Sequence, residues 1–214
     1  MFLAYQNIWF CGLAASGKTT VLRLINETLK DKVEFLNDSL EMVEFVRQDT
    51  KQEHHTKPTP ESFILKDSEP VYYSVKRLIE KASSSDKDKI IEISRGSDEK
   101  GIVDFSYQHL FSQLPEDLKK KSIFVYVYSP VEDRRARNKQ RPLLSEKATV
   151  FESFFCPEEA FERFFVQDDF LQAVSKYPVN ILFIPNIYSL DYLKDKIKKL
   201  FLTEHARSKT QKSS

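Results

Sequence analysis

Residues 9–24 read WFCGLAASGKTTVLRL. An apolar run ends at Gly12, a second glycine follows at position 17, and Lys18 and Thr19 come directly after it. The chain has only four glycines, so half of them sit in this one loop. The spacing is G-x-x-x-x-G-K-[ST] without exception. Glycine tolerates positive φ and lets backbone N–H groups come close to an anion. A helix starting at Lys18 points its N-terminal N–H groups and positive dipole end at the same place. Gly12, Leu13, Ala14, Ala15, Ser16, Gly17, Lys18, Thr19 and Thr20 are therefore expected to hold the phosphates of ATP. Lys18 would reach the β- and γ-phosphates, and the Thr19 hydroxyl would ligate Mg²⁺.

The flanks supply the context that such a loop needs. NIWFC (7–11) reads as a buried strand, and Val21, Leu22, Leu24, Ile25 and Leu29 have helical spacing after it. Further strands are expected at 32–36, 89–94, 122–128 and 179–184. Helices are expected at 39–48, 71–82, 104–114, 131–141 and 190–202, with one helix or a pair over 157–177. Residues 49–70, with Pro58, Pro60 and Pro70, read as irregular. Strands that alternate with helices and are apolar on both faces imply an α/β fold. The expected architecture is a three-layer α/β/α arrangement around a mainly parallel five-stranded sheet. Residues 1–203 are expected to form a single domain with a lid-like segment at about 130–157. The polar tail 204–214 is expected to be disordered.

Composition excludes several classes. A hydrophobic content of 41% with 30% charged residues fits a soluble globular chain. The net charge of +1 disfavours a nucleic-acid partner, because gripping a phosphate backbone normally takes a large basic excess. Cys11 and Cys156 make no disulfide framework and no zinc-ligand spacing. His54 and His55 read as solvated loop residues. The apolar start MFLAYQNIWF lacks a basic n-region and a cleavage site, and it runs straight into the loop. No run approaches a membrane span, so no membrane partner and a cytoplasmic location are expected.

The loop resembles the Walker A motif of the P-loop NTPases, a resemblance specific over residues 7–25 and extended by the strand–helix order to most of the chain. It implies the P-loop NTPase fold, with the nucleotide at the C-terminal edge of the strands. Within that superfamily the chain is most similar to the compact small-molecule kinases, with nucleosides or nucleotides as leading acceptors. The Asn-Lys-x-Asp of GTPases is absent, and Asn138-Lys139 runs on into Gln140-Arg141. By the same resemblance Glu92, ending the strand in KIIEISRG (89–96), would organise Mg²⁺ or take the acceptor's proton, with Arg95 just beyond it. The family's usual Asp is a Glu here. Arg134, Arg137 and Arg141 fall at i, i+3 and i+7 in SPVEDRRARNKQRP (129–142), so a helix would carry them on one face. Their place after the fourth strand resembles a kinase lid, whose arginines close on the transferring phosphoryl group.

Each of these positions also has a plainer reading. Asp38 would contact substrate by resemblance, yet Asp38 or Ser39 is equally suited to cap the following helix. The lid arginines would otherwise form a solvated basic face. Paired aromatics such as Phe154-Phe155 and Phe164-Phe165 read mostly as core, with base stacking as the rival. At the level of function, an ATP- and Mg²⁺-dependent kinase with a small-molecule acceptor stands against a nucleotide-binding regulator, sensor or ATPase without phosphotransfer. Nucleotide base preference and oligomeric state, a homodimer included, are left open.

Overall fold

A computed structural model describes residues 2–3, 5–29, 32–57, 62–143, 149–150, 152, 154–186, 191–192, 195–196, 199 and 202–203. The chain opens with β1 (Phe2–Leu3) and β2 (Asn7–Cys11), and the glycine loop leads into α1 (Lys18–Leu29). β3 (Glu34–Asn37) passes directly into α2 (Asp38–Gln48). A short antiparallel pair, β4 (His55–Thr56) and β5 (Ile64–Leu65), precedes α3 (Glu69–Ser83) and β6 (Lys89–Glu92). Then come α4 (Tyr107–Gln113), α5 (Glu116–Lys120), β7 (Ser122–Tyr128) and α6 (Val131–Lys139). α7 (Glu158–Phe164), α8 (Phe170–Lys176), β8 (Ile181–Pro185) and β9 (Leu202–Thr203) complete the order.

The main sheet has five strands in the order β3-β6-β2-β7-β8. Each neighbouring pair in it is parallel. β2 lies at the centre, and the chain leaves it towards one side first (β3, β6) and the other side later (β7, β8). The C-terminal end of β2 is thus a topological switch point, where open α/β sheets bind ligands. Register brings the same three strand ends together: Phe10 pairs with Glu92, and Asn37 also pairs with Glu92.

Alternation along β2 feeds two cores. Ile8 and Phe10 pack with Val21, Leu22 and Ile25 of α1. Trp9 and Cys11 face the other way, towards Leu78 of α3, Phe111 of α4 and Phe170 of α8. Helices therefore cover both faces, as expected, and every residue of β2 is buried. A third cluster joins Met42 of α2, Leu65 of β5, Phe105, and Ala160 and Phe164 of α7. It forms one wall of the cleft described below.

Several local expectations shift. The stretch 49–70 contains the β4–β5 pair, held where Asp49 accepts the N–H groups of Glu53 and His54 and contacts His55 Nδ1 at 2.9 Å. His55 is fully buried, which corrects its reading as a solvated residue. The span 157–177 is a pair of helices. It breaks after α7 because Arg134 takes the carbonyls of Phe165 and Val166, and Asp169 turns its carboxylate to the N–H groups of Tyr107 and Gln108. α6 ends at Lys139, so Arg141 lies beyond the helix, where its N–H donates to Asn138 O at 3.1 Å. The segment 204–214 and most of the expected helix 190–202 fall outside the described residues, and Leu202 pairs with Leu3 in a strand. Among the described residues no helix is long and apolar enough to cross a membrane.

Candidate active site

The loop between β2 and α1 has the backbone that its glycines imply. Gly12 sits at φ +140° and Gly17 at φ +102°, both in the region that disfavours a side chain. A Cβ on Gly12 would stand 2.6 Å from Val127 O, and one on Gly17 would collide with Asn186 Nδ2. Ala15 also adopts a left-handed φ of 62°. The Gly12 N–H donates to Tyr107 Oη at 2.6 Å, and Asn186 Nδ2 donates to Ser16 O at 2.7 Å. The loop is thus held from below by α4 and from the side by the end of β8.

Lys18 opens α1 and folds back over the loop. Its ammonium donates to Gly12 O at 2.8 Å and Leu13 O at 2.9 Å, and it reaches Ser16 Oγ at 3.5 Å. Burial pushes its pKa down to about 8, against the pull of Glu92 and Asp38. Thr19 turns the other way. Its hydroxyl donates to Glu92 Oε1 at 2.9 Å and lies 3.2 Å from Oε2. Thr20 is exposed on the first turn of the helix.

Glu92 ends β6 and is nearly buried. Burial raises its pKa, while the Lys18 charge and the Thr19 hydroxyl pull it back down. Asn37 donates to Glu92 Oε2 from Nδ2 at 3.2 Å. The Asn37 Oδ1 accepts from the N–H groups of Ser39 and Leu40, so Asn37 is the N-cap of α2. The cap therefore falls one residue before Asp38, and Asp38 is the first residue of the helix.

Asp38 and Arg95 are both fully buried and form an ion pair through Asp38 Oδ2 and Arg95 Nη1. Asp38 Oδ2 also accepts the Ser94 N–H at 3.0 Å. Arg95 donates to Ser94 O at 2.8 Å and Ser74 Oγ at 3.2 Å, and its guanidinium lies 5.2 Å from the centre of the Phe105 ring. Neither residue lines the cleft. The pair stands behind the cleft floor and joins α2, α3 and the end of β6.

The three arginines after β7 do three different things. Arg134 is buried, donating from Nε to Ser129 O at 3.1 Å and from its two Nη groups to Phe165 O and Val166 O. Arg137 Nη1 donates to Ser129 Oγ at 3.0 Å and to Ala15 O at 3.3 Å, so it touches the loop. Arg141 lines the cleft together with Lys18, Thr19 and Glu92, and the Glu92 charge opposes the lowering of its pKa by burial. The structure thus brings Lys18, Thr19, Glu92 and Arg141 together on the cleft, sets Arg137 against the loop carbonyl of Ala15, and turns Arg134 away.

Sequence reasoning missed Asn37 as a partner of Glu92, Tyr107 as the acceptor for Gly12 and Asn186 as the brace of Ser16. A cap signal was present for Asn37, because Asn ranks with Asp and Ser at that position. Tyr107 and Asn186 bond to backbone atoms, which leave no trace in side-chain spacing.

Comparison with known proteins supports the fold. No protein-family model and no curated protein sequence matches the chain. Among solved structures it is similar to a sugar kinase from a Janibacter species, with a TM-score of 0.53 at 13% identity over 91% of this chain and 92% of that one. A shikimate kinase from Acinetobacter baumannii aligns at a TM-score of 0.45 and 18% identity, over 92% and 91% of the two chains. A gluconokinase from Sinorhizobium meliloti aligns at 0.48 and 13% identity, over 89% and 88%. The chain shares the P-loop NTPase fold, a parallel five-stranded sheet covered by helices on both faces.

Proposed function

We propose that the protein is an ATP-dependent kinase that transfers the γ-phosphoryl group to a small acceptor, a nucleoside, a nucleotide or a molecule of similar size. The observation that carries this reading is the contact of Thr19 Oγ1 with Glu92 at the switch point of the sheet. The loop N–H groups and the start of α1 bind the triphosphate. Lys18 exchanges the Gly12 and Leu13 carbonyls for phosphate oxygens, and its charge favours that exchange at a buried position. From the segment after β7, Arg141 lines the same space and Arg137 bonds the loop at Ala15 O, and both oppose the negative charge gathered there.

The donor set suits Mg²⁺. A hydroxyl and a carboxylate are hard oxygen ligands, and Mg²⁺ is ordinarily held by one or two such groups with phosphate oxygens and water completing the shell. Thr19 and Glu92 would hold the ion, which when bound would neutralise charge on the β- and γ-phosphates. In the alternative role Glu92, which lines the cleft, would receive the acceptor's proton. Asp38 and Arg95 act as positioning residues that fix Ser94 and the end of β6.

The second reading is a nucleotide-binding regulator without transfer. What favours it is that Asp38 and Arg95 are committed to each other and not to the cleft. An acceptor screen with labelled ATP separates the two. Labelled product with one acceptor class, lost in Lys18→Ala, supports the kinase. Tight ATP binding with no product from any nucleoside, nucleotide or small metabolite supports the regulator.

A further inference from the structure

We infer that the acceptor side of the cleft takes an uncharged alcohol on an apolar, ring-bearing body, a conclusion that rests on the kinase reading for the identity of the cleft. The cleft has two ends of opposite character. Lys18, Thr19, Glu92 and Arg141 gather at the loop end. The remaining wall is built from Met42, Phe63, Leu65, Phe105, Phe154 and Phe164 and their apolar neighbours. These come from α2, β5, the segment before α4, the return to α7 and α7 itself, so the apolar surface surrounds the space on several sides.

Among the described residues, two arginines that pack against rings of that wall are turned away from it. Arg95 lies behind the Phe105 ring and is paired with Asp38, both at zero exposure. Arg163 lies 4.5 Å from the centre of the Phe164 ring, but it is bound through Nε and Nη2 to Asp98 at 2.7 and 2.8 Å, and through Nη1 to Leu65 O at 3.2 Å. Two polar side chains on the lining are similarly engaged, while Ser62, Ser94 and Glu152 also line it. Asn37 serves Glu92 and the α2 cap, and Ser39 Oγ leans on Asp38 at 3.4 Å. Glu152 lines the rim and is exposed. A polyol or a second anion would find few partners on the described part of this wall, whereas a ring would meet aromatic faces and edges.

The loop end then receives the hydroxyl. Its oxygen forms the new bond to the γ-phosphorus of ATP as the bond from that phosphorus to the bridging oxygen breaks. ADP leaves with the electron pair, and the hydroxyl proton passes to a Glu92 carboxylate oxygen. Specificity is carried by the apolar wall and transfer by the loop end, so one can fail without the other.

The test uses the full chain and three probes: 2-phenylethanol, its carboxylated analogue 4-(2-hydroxyethyl)benzoate, and gluconate. Binding is read by saturation-transfer NMR without ATP, and ADP release is read separately with Mg·ATP. The expected result is that 2-phenylethanol binds at least about tenfold tighter than either anion, and that Phe154→Ser weakens it severalfold with no change in melting temperature beyond a degree or two. Equal or tighter binding of either anion, or no binding of 2-phenylethanol, overturns the inference. Selective 2-phenylethanol binding with no ADP release from any alcohol supports the chemistry of the pocket and places the failure in the kinase reading.

Discussion

Thr19 and Glu92 lie 73 residues apart in sequence, and the hydroxyl of the first donates to the carboxylate of the second at 2.9 Å. The contact joins the first turn of α1 to the end of β6 at the point where the sheet reverses its strand order. Glu92→Gln keeps a hydrogen-bonding group of the same shape there and removes its charge and basicity. Turnover is expected to fall by roughly 10²-fold or more, the scale of losing general-base and electrostatic help. Circular dichroism and the melting temperature should stay near wild type.

Lys18 gives a pH dependence with a definite sign. Its folded pKa is about 8 against an ordinary value of 10.5, so between those values the unfolded chain holds the extra proton. Stability of the nucleotide-free protein is therefore expected to rise as pH increases through that window, by an amount on the order of a few kcal/mol. On the kinase reading ATP binding should run the other way, because it would use the ammonium, and affinity should decline above about pH 8. Denaturant titrations and ATP titrations at a series of pH values check both, and Lys18→Ala should flatten both profiles.

The Asp38–Arg95 pair is expected to act on stability more than on the reacting atoms. Asp38→Ala strands a buried guanidinium and should cost about 3–5 kcal/mol in urea unfolding. The double variant Asp38→Leu with Arg95→Met should recover much of that loss, because two buried charges vanish together.

Arg134 and Arg141 are expected to separate cleanly. Arg134→Met leaves the carbonyls of Ser129, Phe165 and Val166 without their donor, and should cost about 1–3 kcal/mol per buried group left unpaired. Arg141→Ala should leave stability within about 0.5 kcal/mol and lower turnover by roughly tenfold or more. Melting curves beside initial rates distinguish the two patterns.

Much of the loop end of the cleft was legible because its motif is local. Gly12, Gly17, Lys18 and Thr19 form one contiguous motif, and Glu92 closes a short apolar strand where an acid has few other reasons to be. The sheet was legible for the same reason, since each strand is a separate apolar run. Pairings across the sheet were not. Asp38 meets Arg95 only because the register sets Asn37 beside Glu92, and nothing in either segment announces that alignment. The arginines after β7 show another limit. Helical spacing places residues on a common face, but which part of that face meets carbonyls depends on where α7 ends, and α6 itself stops before Arg141.

The most direct measurement is transfer of label from γ-labelled ATP to an alcohol acceptor by the wild-type chain and by Lys18→Ala. Acceptor-dependent labelled product with wild type, reduced at least roughly 10²-fold in the variant, is the expected result. ATP consumption that is indifferent to every acceptor, or a variant as active as wild type, would contradict it.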